Sequence, residues 1–301
     1  MTRRECVTKT ALAALGACIP MAAKQGPNKG KRERIACNSW PFRAYFDTPE
    51  LREFRDAKYP LLNQWEFPQF LADQFGIHNV EFLPQHFADT EPATISKVKD
   101  GLAKAKSSCC NLMGVDLPGG VFAPDADVSV LVRETERWLQ VMDVLECPTI
   151  TIALNGKEQP DPHVAAKNLG PVVEAARKRG KKVLFHNDDM KRESAEILSA
   201  LILQLGRDRT GTCPDFGNFA TKSAAYALQQ LRMLAPYASN ICHAKDGIAD
   251  KGILYRDDFP ASMQVMKASG FHGIYSLEFE GLGAPLDGVR RLLEQTEEYM
   301  D

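Results

Sequence analysis

Three side chains in the last third of the chain are suited to holding a cation: Asp215, His243 and Glu278. They stand in Cys213-Pro214-Asp215-Phe216-Gly217-Asn218, His243-Ala244-Lys245-Asp246 and Leu277-Glu278-Phe279-Glu280. Each ends an apolar, strand-like run and precedes a helix-like one. The spacings, 28 and 35 residues, are about one strand-helix unit. One imidazole and two carboxylates suit Mn²⁺, Mg²⁺, Co²⁺ or Zn²⁺, with positions left open for substrate oxygens. Singly, an aspartate at a strand end is more often a helix cap, and a histidine in an apolar run is more often a core residue. Three such groups, one per unit, favour the metal.

The elements that must position these groups follow from periodicity. Strands are predicted over 34–39, 79–83, 111–116, 149–154 and 182–186, into Asp215, and over 240–243 and 274–278. Helices are predicted over 67–75, 95–106, 127–145, 164–178, 193–205, 223–234, 259–268 and 286–299. In the third helix Leu131, Trp138, Leu139, Met142 and Leu145 share one face, a stripe that packs on a sheet. The polar stretch 43–63 reads as a loop with a short helix over the mouth. Eight alternating units without a hairpin signal predict an α/β fold, a (β/α)₈ TIM barrel, as a single domain over 34–301. An open doubly wound sheet is the alternative, but no Gly-rich phosphate turn follows the first strand.

The N-terminus is read apart from the fold. Thr2-Arg3-Arg4-Glu5-Cys6-Val7 precedes a mild apolar run to Ala23 and resembles a twin-arginine export signal. Residues 1–23 are therefore expected to be a signal peptide, with an exported, periplasmic mature protein. Leu15-Gly16-Ala17-Cys18 also resembles a lipoprotein box, the minority reading being lipidation at Cys18. Residues 24–33 read as a basic, solvated linker. The whole chain carries −2; losing Arg3, Arg4, Lys9 and Glu5 leaves −4. Such a domain is a poor non-specific nucleic-acid binder. No apolar run reaches the ~18 residues of a membrane span. The eight cysteines include no CxxC pair, which argues against a thiolate zinc site.

On Asp215-Phe216-Gly217-Asn218, His243-Ala244-Lys245-Asp246 and the Glu278 strand, the sequence resembles the xylose isomerase-like TIM-barrel superfamily, the sugar phosphate isomerase/epimerase group. The resemblance covers about residues 34–300. It implies a divalent metal held by four strand exits, commonly through Glu, Asp, His and Glu. The last three correspond to Asp215, His243 and Glu278. At the first, where many members carry Glu-Asn-His, this chain has His186-Asn187-Asp188. His186-Asn187 is closer to the His-Asn-His and His-His-His runs of inosose dehydratase-like and keto-glycoside-processing members.

The implied function is a metal-dependent isomerase or epimerase on a sugar, keto-sugar or cyclitol, working by proton abstraction beside a carbonyl. Glu278 remains one acid/base group. His186 supplies the fourth ligand or the second acid/base group, with Asp188 or Asp189 as other fourth ligands. One strong base with a weaker partner fits a dehydratase or hydratase better than symmetric epimerisation. Lys245 is a candidate oxyanion or hydroxyl partner, or a surface lysine paired with Asp246. Trp40 and Phe42 are candidates to stack on a sugar face. Glu81 and His86 are candidates to bind substrate hydroxyls or extend the metal site, with a structural role favoured. Asn155, Asn187 and Asn218 would orient hydroxyls or ligands. Superfamily habit implies a homo-oligomer. A non-catalytic carbohydrate-binding barrel competes with the enzyme. A related abasic-site endonuclease would need more ligands and a basic surface.

Overall fold

A computed structural model describes residues 30–300. The expected signal peptide, the lipidation candidate Cys18 and most of the basic linker lie outside the described residues. The linker's end is not a free tether. Residues Lys31–Arg34 form a 3₁₀ turn. Lys31 Nζ donates to Glu297 O at 2.9 Å, and Arg32 pairs with the Glu297 carboxylate.

The first half of the fold contains β1 (Ile35–Asn38), α1 (Phe67–Phe75), β2 (Asn79–Phe82), α2 (Pro92–Lys104), β3 (Ser108–Val115), α3 (Val128–Val144), β4 (Thr149–Ile152) and α4 (Pro162–Lys178). The second half contains β5 (Lys182–His186), α5 (Ala195–Leu205), β6 (Thr210–Cys213), α6 (Ala224–Leu234), β7 (Ile241–Ala244), β8 (Ile248–Asp250), β9 (Ile253–Tyr255), α7 (Phe259–Ala268), β10 (Ile274–Leu277) and α8 (Pro285–Tyr299). Eight parallel strands are ordered β6-β5-β4-β3-β2-β1-β10-β7. The two outer strands meet through bridges between Thr212 and Ala238 and between Asp215 and His243. His243 N donates to Pro214 O at 2.9 Å across this seam. The predicted TIM barrel is therefore what forms, and its seam closes at two of the predicted ligands.

The helices begin where local chemistry lets them. Asp127, Asp161, Ser223 and Asp258 accept backbone N–H groups as N-caps of α3, α4, α6 and α7. Pro92, Pro162 and Pro285 occupy first helical positions, so α2, α4 and α8 start before their expected bounds. In α3 the predicted residues Leu131, Trp138, Leu139 and Met142 are buried.

Two expectations need correction. β8 and β9 form an antiparallel hairpin where none was anticipated. Its two-residue turn, Lys251-Gly252, has φ of 49° and 80°, the primed geometry that matches strand twist. A lysine in that first position gives little sequence signal. Phe42 is fully buried against Phe67, Phe70, Phe75 and Tyr45, so it packs beneath α1 rather than at the mouth.

Candidate metal centre and cavity

The strand exits bring His186, Asp215, His243 and Glu278 together on one rim. Each of these residues is no more than 5% exposed. His243 Nδ1 lies 3.1 Å from Glu278 Oε2 and 3.6 Å from Asp215 Oδ2. His186 Nε2 lies 3.8 Å from the same Asp215 oxygen, and the two imidazole rings are 4.7 Å apart. His186 Nε2, Asp215 Oδ2 and His243 Nδ1 are buried without a well-formed hydrogen bond among the described residues. Buried polar atoms are ordinarily satisfied. Three lone-pair atoms facing one another are the donor set a divalent cation would complete.

Asp215 Oδ2 and His243 Nδ1 are each aimed by a bond on the other side of the group. Asp215 Oδ1 accepts from Gly217 N at 2.8 Å and Asn218 N at 2.7 Å, which turns Oδ2 inward. Asn187 clamps Asp215 from β5: its Oδ1 accepts Asp215 N at 2.7 Å and its Nδ2 donates to Asp215 O at 3.0 Å. His243 Nε2 lies 3.0 Å from Glu81 Oε2, which leaves Nδ1 for the centre. Glu81 is held in turn by Asn111 at 2.7 Å and Ser276 at 2.6 Å. This carboxylate–histidine pair is the usual outer support of a metal-binding imidazole.

Lys245 lies among the carboxylates, fully buried. Its ammonium is 2.6 Å from Glu278 Oε1, 2.6 Å from Glu280 Oε2 and 3.3 Å from Asp215 Oδ2, and it donates to Asn218 Oδ1 at 2.5 Å. Gly217 makes room for its stem, since a Cβ there would come 2.9 Å from Lys245 Cγ. Burial opposes the charge on Lys245, but Asp215, Glu278 and Glu280 outweigh it and hold the amine protonated. Burial likewise favours neutral Asp215 and Glu278, yet Lys245 pulls both well below the usual carboxylate range. The alternative pairing with Asp246 does not form. Asp246 instead faces Arg256 and Arg291 at 3.4 and 3.3 Å.

The centre opens into a cavity of about 360 Å³. Trp40, His186, Asp188, Arg192, Glu278 and Glu280 are among its walls. Trp40 Nε1 donates to Glu280, and Arg43 lies over the indole at 4.7 Å. The other expected substrate contacts fall elsewhere. Glu81 is completely buried with its oxygens committed, so it supports His243 and does not meet substrate hydroxyls. His86 is 1% exposed, against Phe46 and outside this cavity, and both its nitrogens lack partners. Burial pushes its pKa down to about 3, with Arg43 adding to the effect. The Asn187 and Asn218 side chains are bonded to protein groups.

Sequence reasoning gave no role to Glu280, Asn38 or Glu193. Glu278 and Glu280 are two apart, a period that places both on one side of an extended segment. Asn38, at the exit of β1, donates to Glu278 Oε2. Glu193 accepts from Leu154 N at 2.8 Å, Asp188 N at 3.1 Å and Asp189 N at 2.9 Å, tying two rim loops together. That task keeps it outside α5, which starts at Ala195.

Residues 70–299 match a sequence family described as xylose isomerase-like TIM barrel. No curated protein matches the chain. Among solved structures, the barrel is similar to 3-keto-D-glucoside 4-epimerase from E. coli, at 14% identity and a TM-score of 0.62, covering 88% of this chain and 99% of that one. It is also similar to the probable 3-DHS dehydratase from Bacillus anthracis, at 11% identity and a TM-score of 0.62, covering 87% and 97%. A third similar structure is a xylose isomerase-like TIM barrel protein from Mycobacterium smegmatis in complex with magnesium, at 13% identity and a TM-score of 0.59, covering 89% and 98%.

Proposed function

Since the chain belongs to the xylose isomerase-like TIM-barrel family, we propose that it is a divalent-metal-dependent enzyme of the sugar isomerase/epimerase type. Its reaction removes a proton next to the carbonyl of a keto-sugar or cyclitol. The observation that carries this reading is the convergence of His186 Nε2, Asp215 Oδ2 and His243 Nδ1, none in a well-formed hydrogen bond among the described residues, beside Glu278 at the wall of a sugar-sized cavity.

His186, Asp215, His243 and Glu278 would hold the ion. A divalent ion there supplies positive charge for a carbonyl oxygen that becomes anionic as the neighbouring proton leaves. Glu278, kept ionised by Lys245, is the base. Lys245 stays protonated, so it cannot accept that proton; it fixes Glu278 and Glu280. His186 offers one nitrogen, Nε2, to the centre, so it is either the fourth ligand or the second proton-transfer group, not both at once. Trp40, tethered to Glu280, offers an apolar ring edge to the sugar.

A lyase reading has its own support. Glu278 is gripped by Lys245, His243 and Asn38, whereas His186 makes a single ion pair among the described residues, with Asp215 at 3.8 Å. Two unlike groups suit loss or addition of water better than a symmetric exchange between opposite faces. The expected export rests on the Arg3-Arg4 stretch; Arg3→Lys/Arg4→Lys should leave the protein in the cytoplasm.

The test has two arms. Elemental analysis of wild type, His186→Ala and Glu278→Ala should show one metal per chain, with more than tenfold lower occupancy in both variants. A 3-keto-glucoside in D₂O should then gain deuterium beside its carbonyl. Retained carbon skeleton with inversion identifies an epimerase, and an enone absorbance identifies a lyase. A wild type that binds sugar but neither metal nor solvent deuterium is a carbohydrate-binding barrel, and the proposal fails.

A further inference from the structure

The cavity beside the metal centre does not end at the rim. A second cavity of about 240 Å³ shares Gln85, Gly114 and Asp116 with the first. At the junction the β3 ladder shifts register beyond Leu112, and Gly114 takes a φ of 75°. A Cβ added at Gly114 would meet nothing within 4 Å, so the divide there is bare backbone under open space. Gln85 is fixed at this point, because Thr48 Oγ1 donates to its backbone oxygen at 2.7 Å. Yet Gln85 Oε1 is buried with no donor, and so is Asn155 Oδ1 on the first cavity's wall. Asn155 Nδ2 is directed to Asp116 Oδ1, at 3.3 Å. One acceptor at the passage, Gln85 Oε1, and one on the first cavity's wall, Asn155 Oδ1, thus lack hydrogen-bond donors.

The second cavity is polar and preorganised. Arg137 is spent on Glu134 and on Thr90 Oγ1, which it reaches at 3.1 Å, and Trp138 Nε1 donates to Glu134 at 3.2 Å. This leaves the carboxylates of Glu50, Asp89 and Asp116 around the space with no free cation among its walls. Such walls repel phosphate and carboxylate and accept hydroxyl protons. Taken together, the cavities of about 360 and 240 Å³ stay within the ~300–1,000 Å³ of single-ligand sites.

We propose that the substrate is an uncharged two-ring glycoside, with the reacting ring at the metal centre and the second ring beyond Gln85, Gly114 and Asp116. The inference rests on the first cavity being the reacting-sugar site, and it excludes sugar phosphates as preferred substrates. Its test is binding, not turnover. Calorimetric titration of the full chain with Mn²⁺ present compares glucose, glucose 6-phosphate, cellobiose, maltose and trehalose, none of which carries the reactive ketone. At least one disaccharide should bind ten times or more tighter than glucose, and glucose 6-phosphate no tighter than glucose. Thr90→Trp, which fills the second cavity, should bring that disaccharide to the affinity of glucose. Gly114→Asn tests the junction separately and keeps the left-handed backbone Asn tolerates. Equal affinity for all the neutral sugars, a preference for the phosphate, or disaccharide binding indifferent to both substitutions overturns the inference. Those outcomes leave the deuterium exchange on a keto-sugar untouched, whereas lost exchange with intact disaccharide preference sinks only the proposed reaction.

Discussion

Glu81→Gln isolates the support behind the proposed metal centre without touching a ligand. In the native site Glu81 Oε2 lies 3.0 Å and Oε1 3.2 Å from His243 Nε2. Burial works against its charge, but His243, Asn111 and Ser276 together hold its carboxyl below the usual range. A hydrogen bond to a charged partner contributes about 1.5–3 kcal/mol. Gln keeps one acceptor oxygen but sets an NH₂ group against a donor, Asn111 Nδ2 or Ser276 Oγ, so part of that energy is lost. Losing outer support of this kind typically weakens metal binding about 10–100-fold, or about 1.4–2.8 kcal/mol. Mn²⁺ titration of the metal-stripped protein, by calorimetry, reads the change directly. The expected order is wild type, then Glu81→Gln about tenfold weaker, then His243→Ala with no measurable site. Glu81→Gln within twofold of wild type, beside a crippled His243→Ala, would refute the claim that Glu81 aims the imidazole. An unimpaired His243→Ala would refute the centre itself.

Three further outcomes follow from buried charge and backbone geometry. Lys245→Met leaves Asp215, Glu278 and Glu280 without their shared cation; breaking a buried pair costs about 3–5 kcal/mol, so Tm should fall by roughly 10 °C, with partial recovery in Mn²⁺. An unchanged Tm would show that the carboxylates do not depend on the amine. His86 is neutral in the fold, with its pKa down to about 3 from an ordinary 6.5. The unfolded chain therefore binds the extra proton, so stability declines as pH falls from 6.5 toward 3, by an upper limit on the order of 4 kcal/mol. His86→Phe should flatten that decline in denaturant midpoints measured from pH 7 to pH 4, and an identical slope would count against it. Lys251→Asn in the β8–β9 turn, at φ 49°, should stabilise by about 0.5 kcal/mol, because Asn accepts the left-handed region more readily than Lys. A lower denaturant midpoint would contradict the turn assignment.

The barrel was legible because each of its eight units announces itself locally. An apolar run, a polar exit and an amphipathic helix require only near neighbours, and the bounds of α1 and α6 follow the periodicity closely. Asp215, His243 and Glu278 were legible for the same reason, as polar residues closing apolar runs. What stayed hidden depends on contacts across the barrel. Glu81 meets His243 over 162 residues of sequence, and nothing in either strand says which imidazole nitrogen will face which carboxylate. Lys245 is the sharpest case. A lysine after a strand normally takes its charge to water, and the adjacent Asp246 offers an ordinary surface partner. Its inward path requires Gly217 to be bare on another strand exit and three carboxylates to converge. Only the sum of those carboxylates outweighs burying an ammonium. The same reasoning limits what the metal can add: the centre already carries one fixed positive charge, 3.3 Å from Asp215 Oδ2, so a divalent ion held by Asp215 and Glu278 would share those carboxylates with Lys245. His186 and His243 would bring imidazole nitrogens to such a site rather than further negative charge, which suits a cup already holding a cation.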